Sequence, residues 1–283
     1  MTAARALLEH IVDYAGMFPP AALPPRDALE SYQRHLQDPR GWLLGPIVVG
    51  APALDALGDF AGDVSIVVGI NVDSSLEQAL RYVTRAGHTA RRISIEFPAQ
   101  TVDAIARIAA RVPGEVTTFF ETPPGDQMDA RLDAIQRANA CAKIRTGGIA
   151  APAFPSAEQV YAFFRGCVAR GLRCKATAGL HHAITGTYAL TYEASSGRSR
   201  MFGFLNVCAA AALAQADAPA SDGVAVLEER GPEAMTVSGD RWRWRDHRWG
   251  VDDILRLRAT LFRSFGSCSF DDPADELARL GVI

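Results

Sequence analysis

Residues 142–180 read AKIRTGGIAAPAFPSAEQVYAFFRGCVARGLRCKATAGL. A short run, AKIRTGG at 142–148, ends in glycines. A stretch with apolar residues three and four apart follows, SAEQVYAFFRGCVARG at 156–171, and opens with a capping-box pattern. A second short run, RCKATAGL at 173–180, again gives way to Gly. Strand, helix and strand in this order form a βαβ unit, which places two strands side by side and parallel in one sheet.

The same alternation extends in both directions. Apolar runs bounded by turn residues occur at 47–52 (IVVGAP), 65–72 (SIVVGINV), 92–98 (RISIEFP), 117–124 (TTFFETPP) and 264–270 (SFGSCSF), with a weaker one at 11–18 (IVDYAGMF). Helical patterns fill gaps at 25–37, 74–87 and 101–112. Eight strands with intervening helices in 283 residues predict a single (β/α)8 TIM barrel spanning 1–283. A doubly wound open sheet is the alternative. Its nucleotide-binding versions lack support, because no GxGxxG follows the first strand and no GxxxxGK[ST] occurs.

One segment breaks the rhythm. Residues 183–250 form an insertion before the last strand, holding an apolar helix (202–216) and TVSGDRWRWRDHRW (236–249), which reads as a hairpin with one aromatic face. A lid, a homo-oligomer contact through 236–249 and plain packing are all open. A further helix is predicted at 251–262.

Composition narrows the function classes. The chain is 48% hydrophobic and 22% charged with a net charge of −3, which gives no electrostatic pull toward nucleic acid or anionic lipid. No run approaches the roughly 18 apolar residues of a membrane span, and no targeting segment is read. The five cysteines include no CxxC pair, which fits a reducing cytoplasm. Among 29 basic residues only two are lysines, Lys143 and Lys175.

Both lysines fall on predicted strands. Period-2 alternation groups Lys143 with Arg145, and Lys175 with Arg173 and Thr177, leaving Ile144 and Ala176 for the helix side. The lysines then point into the barrel, toward the end where barrels keep their chemistry. Arginine cannot lose its proton, whereas a desolvated lysine beside a second cation can, and a neutral amine forms a Schiff base with a carbonyl. Arg145 offers a fork for a carboxylate or phosphate. Asp13, Glu96 and Glu121 are the strand carboxylates available for proton transfer, or for pairing with those cations. Thr146, Thr177, Gly179, His181 and His182 lie at the same predicted mouth. Cys268, in GSCS, has no His partner assignable from its neighbourhood and reads as a small core residue.

The lysine pair resembles that of the deoxyribose-phosphate aldolases, Schiff-base enzymes on a (β/α)8 barrel. That family carries a K-T-S-T-G-F-like motif on its sixth strand and K-A-[AS]-G-G on its seventh; here KIRTGG and KATAG stand 32 residues apart. IVDYAGMFPPAALPPRDALESY, IVVGINV, FFETP and FRSFGSC are similar to its first, third, fifth and final strands. The resemblance implies Lys143 as imine former, Lys175 as the neighbour that lowers its pKa, Asp13 as a site carboxylate, and Gly266 and Ser267 as anion contacts. The family's fourth-strand Asp would fall near Ile93 or Ser94, so Glu96 is the candidate for its role. The family's Ser two positions after the imine lysine is Arg145, and a Gly after the second lysine is Ala178. Asp271, Asp272, Asp275 and Glu276 load the next helix's first turn and oppose a phosphate at 266–267, favouring a carboxylate-bearing substrate. DYAGMFPPAALP, KATAGLHH and RSFGSCSFDDP are also similar to a set of bacterial β/α-barrel proteins, which implies the fold and nothing about activity.

The expectation is an aldolase-type lyase acting on a small carbonyl substrate through a lysine imine, with no cofactor. A divalent-metal lyase or isomerase using His181, His182, Glu96 and Glu121 is the second reading. A non-catalytic small-molecule-binding barrel is the third.

Overall fold

The chain, seen in a computed structural model, is described over residues 1–58, 60–69, 71–86 and 92–283. Its strands in chain order are β1 (Val12–Tyr14), β2 (Leu44–Gly50), β3 (Val64–Val67), β4 (Ile93–Phe97), β5 (Thr117–Glu121), β6 (Cys141–Arg145), β7 (Cys174–Thr177), β8 (Gly186–Ala189), β9 (Arg198–Met201), β10 (Met235–Ser238), β11 (Arg241–Trp244), β12 (His247–Gly250) and β13 (Phe262–Ser267). Eight of them close a parallel barrel in the order β1-β13-β7-β6-β5-β4-β3-β2. All eight sequence-predicted barrel strands are present, β1 included. Ile70, in one predicted strand run, and Gly87, at the predicted end of a helix, lie outside the described residues.

Outward residues of the strands pack under the helices. Ile66, Ile95, Ile144, Ala176 and Phe265 are buried on that side, and Phe265 stacks on Phe204 with ring centroids 4.8 Å apart. The helix Ala157–Ala169 between β6 and β7 carries the expected capping box: Ser156 Oγ accepts from Gln159 N, and the Gln159 side chain accepts from Ser156 N. The barrel interior is more polar than the branched apolar layers usual in this fold. Ser65, Glu96, Lys143, Lys175, Ser264 and Asp13 are all buried there.

The insertion differs from its predicted form in two ways. The stretch 236–249 belongs to a three-stranded meander, β10-β11-β12, because Arg245-Asp246 makes a second turn after Gly239-Asp240. Its aromatic face is spent within the chain. Trp242, Trp244 and Trp249 are buried, and Ala3 N at the start of the first helix (Ala3–Leu8) donates to Gly239 O. That helix leads into β1, so the meander lies toward the N-terminal end of the barrel and is no lid over the opposite mouth. A hairpin that the sequence did not reveal, β8-β9, stands at the mouth instead. Its strands are short and half-exposed, without the apolar alternation that marks a strand in sequence.

The helix Phe204–Gln215 is buried along nearly its whole circumference. Asn206 fastens it: Oδ1 accepts from Thr185 N at 3.0 Å, and Nδ2 donates to Val226 O and Glu229 O. Among the described residues no helix is long and apolar enough to cross a membrane.

Candidate active site

Strand pairing sets the two lysines directly opposite each other. Lys143 on β6 aligns with Lys175 on β7, and Glu121 at the end of β5 aligns with Lys143. Alternation on β4 brings Ser94 and Glu96 inward, and Asp13 enters from β1. The result is one continuous chain of charges. Lys175 Nζ donates to Asp13 Oδ2 and, at 2.7 Å, to Glu96 Oε1. Lys143 Nζ donates to Glu96 Oε2 at 3.0 Å and lies 3.5 Å from Glu121 Oε2. Arg145 Nη1 closes the row, 3.8 Å from Glu121 Oε2.

A supporting shell of hydroxyls holds the carboxylates. Ser65 Oγ donates to Glu96 Oε1 at 2.6 Å and itself accepts from Ser94 Oγ, while Ser264 Oγ donates to Asp13 Oδ2 at 2.8 Å. Asp13 Oδ1 is buried without a hydrogen-bond partner among the described residues. Gly45 makes room for it: a Cβ there would stand 2.8 Å from that oxygen. Neither Ser65 nor Ser264 was singled out from sequence. Their signal was present, since Ser65 and Ser264 are polar residues at inward positions of otherwise apolar strands.

The electrostatics reverse one expectation. Burial alone would lower the Lys175 pKa, but the carboxylates of Asp13 and Glu96 outweigh it and hold the ammonium above its ordinary value. Burial works against ionisation of Glu96, yet the charges of Lys175 and Lys143 and the bonds from Lys175 and Ser65 keep it well below the usual carboxylate range. At Asp13 burial prevails over Lys175, and the pKa is raised. Lys175 is therefore a fixed cation whose charge is compensated by Glu96, in place of a neighbour that simply drives protons off Lys143.

Both lysines are buried, and exposure rises toward Arg145. Side-chain exposure rises along the row from 2% at Lys175 through 5% at Lys143 and 16% at Glu121 to 52% at Arg145. Lys143 is the amine that adjoins Glu121, which in turn adjoins the exposed Arg145.

Other predicted site residues divide. Ser267 and His181 meet at the mouth, with His181 Nδ1 3.3 Å from Ser267 Oγ; Gly266 packs so closely on Thr177 that a Cβ would stand 2.8 Å from Thr177 Oγ1. Thr146 is fully buried, and its hydroxyl donates to Ala178 O at 2.7 Å and ties two βα loops together. Gly179, in the left-handed region at φ +75°, lets that loop pack on Gly147. His182 is stacked on Tyr188 at 3.4 Å with Nδ1 2.6 Å from Glu276 Oε1. The four-residue metal set of the second reading is not assembled, because Glu96 and Glu121 face lysines while the two histidines face different partners. Among the described residues no three His, Cys, Asp or Glu side chains are grouped to hold a metal ion.

Cys268 does have a histidine neighbour, with His181 Nε2 3.9 Å from Sγ. Burial pushes the thiol up and the imidazole down, so both are neutral near pH 7 and form no thiolate-imidazolium pair. The acidic turn at 271–276 is a set of tethers: Asp272 accepts from Tyr192 OH at 2.8 Å, and Glu276 accepts from Ala183 N at 2.6 Å. Tyr192, at the turn of the β8-β9 hairpin, is the mouth residue that sequence reasoning missed.

Fold and site together define a (β/α)8 barrel whose interior carries a buried lysine-carboxylate network. No protein-family model and no curated protein matches the chain significantly.

Proposed function

We propose that the protein is a Schiff-base lyase of the aldolase type, acting on a small carbonyl compound that carries a carboxylate. The observation that carries this reading is the sharing of one buried carboxylate, Glu96, by the chain's only two lysines, with Lys143 the one beside Glu121 and Arg145.

In the proposed cycle Arg145 binds the substrate carboxylate and Lys143 passes a proton to Glu121. The freed amine adds to the carbonyl carbon. Protonation of the resulting hydroxyl lets it leave as water, producing an iminium at Lys143. Glu96, held ionised, stabilises that cation. Glu121 then takes the proton of a hydroxyl β to the iminium carbon. The carbon-carbon bond breaks, its electron pair flows to the imine nitrogen, and a carbonyl fragment departs. Protonation of the enamine carbon and addition of water release the second fragment and restore Lys143. Lys175, Asp13, Ser65 and Ser264 are positioning residues that keep Glu96 charged and aimed.

The test is reductive trapping. The protein is incubated with 2-oxo acids and short aldehydes, reduced with borohydride, digested and weighed. A mass increment confined to the peptide bearing Lys143 is expected. Absence of an adduct with every carbonyl tried, or an adduct on Lys175 alone, overturns the reading.

A further inference from the structure

The lower half of the barrel holds a second feature. A cavity of about 850 Å³ lies between the N-terminal ends of the strands, with Asp13, Lys175 and Ser264 at its upper end. Four arginines line it, Arg92, Arg173, Arg258 and Arg263.

One of them is there because of a strand irregularity. Phe262 pairs with Cys174 and Phe265 with Ala176, so three steps on β13 match two on β7. Phe262 contacts Phe164 and Phe265 contacts Phe204, both on the helix side. The extra residue leaves Arg263 and Ser264 both on the inner face, where simple alternation would allow only one. Bulges that re-aim a side chain in this way are features of function more often than accidents.

The charges around this chamber do not cancel. Arg92 is paired with Asp63 at 3.0 Å, Asp13 with Lys175, and Glu9 with Arg5. Glu115, at the rim, is exposed. Among the described residues no carboxylate oxygen lies within 4.0 Å of the Arg173, Arg258 or Arg263 guanidinium. Arg258 spends its donors on the carbonyls of Glu9 and Phe262, and among the described residues Arg263 reaches only the carbonyl of Arg258, at 3.5 Å. Burial and the charge of Arg173 both disfavour the protonated form of Arg263, and burial lowers Arg258 to about 10. Arg258 and Arg263 are half-buried and Arg173 is exposed beside them. Clustered guanidinium groups gain when an anion joins them, the desolvated ones most, and their planar forks match oxyanion geometry.

We propose that this chamber is a binding site for a small multivalent oxyanion, a phosphate-bearing or polycarboxylate molecule, held between Arg173 and Arg263 and entering from the end of the barrel opposite Arg145. The size of the chamber falls within the range of small-molecule sites. The proposal is independent of the lysine chemistry.

Titration calorimetry with inorganic phosphate and with citrate, in chloride buffer of constant ionic strength, tests it. Saturable 1:1 binding of at least one probe is expected, weakened about tenfold or more in R263Q and in R173Q and unchanged in R145Q. Citrate binding alone identifies the polycarboxylate class and phosphate binding alone the phosphate class. R263Q without ligand is expected to melt no lower than the parent, because an uncompensated charge is removed. R173Q gives a second reading should R263Q fail to fold. Absence of saturable heat with both probes up to about 10 mM overturns the proposal, as does binding that R145Q abolishes and R263Q and R173Q retain.

Discussion

Lys143 and Lys175 occupy opposed register positions on neighbouring strands, and Glu96 accepts from both ammonium groups. Two cations so placed repel in a dry interior, and the single carboxylate between them makes the arrangement tolerable.

Glu96→Gln is therefore expected to destabilise the protein by about 3–5 kcal/mol at pH 7, since it leaves two buried ammonium groups short of an anion. The folded pKa of Glu96 is depressed, so its contribution is present above its ordinary value of 4.5 and is lost as pH falls through the folded value. Lys175 behaves oppositely: its pKa is raised, and its contribution is full below 10.5 and lost as pH rises through the folded value. Urea unfolding of both proteins between pH 3 and 8 should show the gap largest above pH 4.5 and shrinking below it. A gap independent of pH would contradict the assignment.

The two lysines should separate in their phenotypes. Lys143→Met is expected to eliminate the borohydride-trapped adduct. Lys175→Met leaves Asp13 without its cation and Glu96 with Lys143 alone, and is expected to cost about 3–5 kcal/mol in chemical denaturation. Equal adduct yields from the parent and the Lys143 variant would remove the basis for calling it the nucleophile.

Gly45→Ala probes the fit around Asp13. The added Cβ would stand 2.8 Å from Asp13 Oδ1 and 3.2 Å from the carbonyls of His10 and Val12, and backbone cannot yield cheaply. A loss of about 1–3 kcal/mol is expected, read as a lower melting temperature. Unchanged melting would mean that Asp13 is free to move.

Ala178 follows Lys175 by three residues and sits in the left-handed region at φ +66°. An alanine there costs about 1–2 kcal/mol, which Gly avoids at the expense of a more flexible unfolded chain. Ala178→Gly is expected to leave stability equal or higher by up to about 1 kcal/mol, measured by urea midpoint, and Ala178→Val to lower it.

Much of the site was legible along the chain. Lys143, Lys175 and Glu96 stand on short strands where alternation alone decides which way they face, and each faces inward as the pattern requires. The protein partners of Thr146 and His182 were not legible, because both residues lie past the strand ends, where no period governs direction. Their partners, Ala178 O and Glu276, are 32 and 94 residues away. The aromatic meander was readable as alternation, but its cover is a helix more than 200 residues distant in the chain.

Periodicity and glycine punctuation determined the (β/α)8 barrel and put both lysines inside it, because strand and helix periods are local properties of the chain. Which carboxylate each lysine meets, how deeply each is buried, and where the arginines of the lower chamber converge were decided only in the folded barrel. Charge pairing and desolvation depend on distances across the barrel, between residues as far apart in sequence as Ser264 and Asp13, 251 positions.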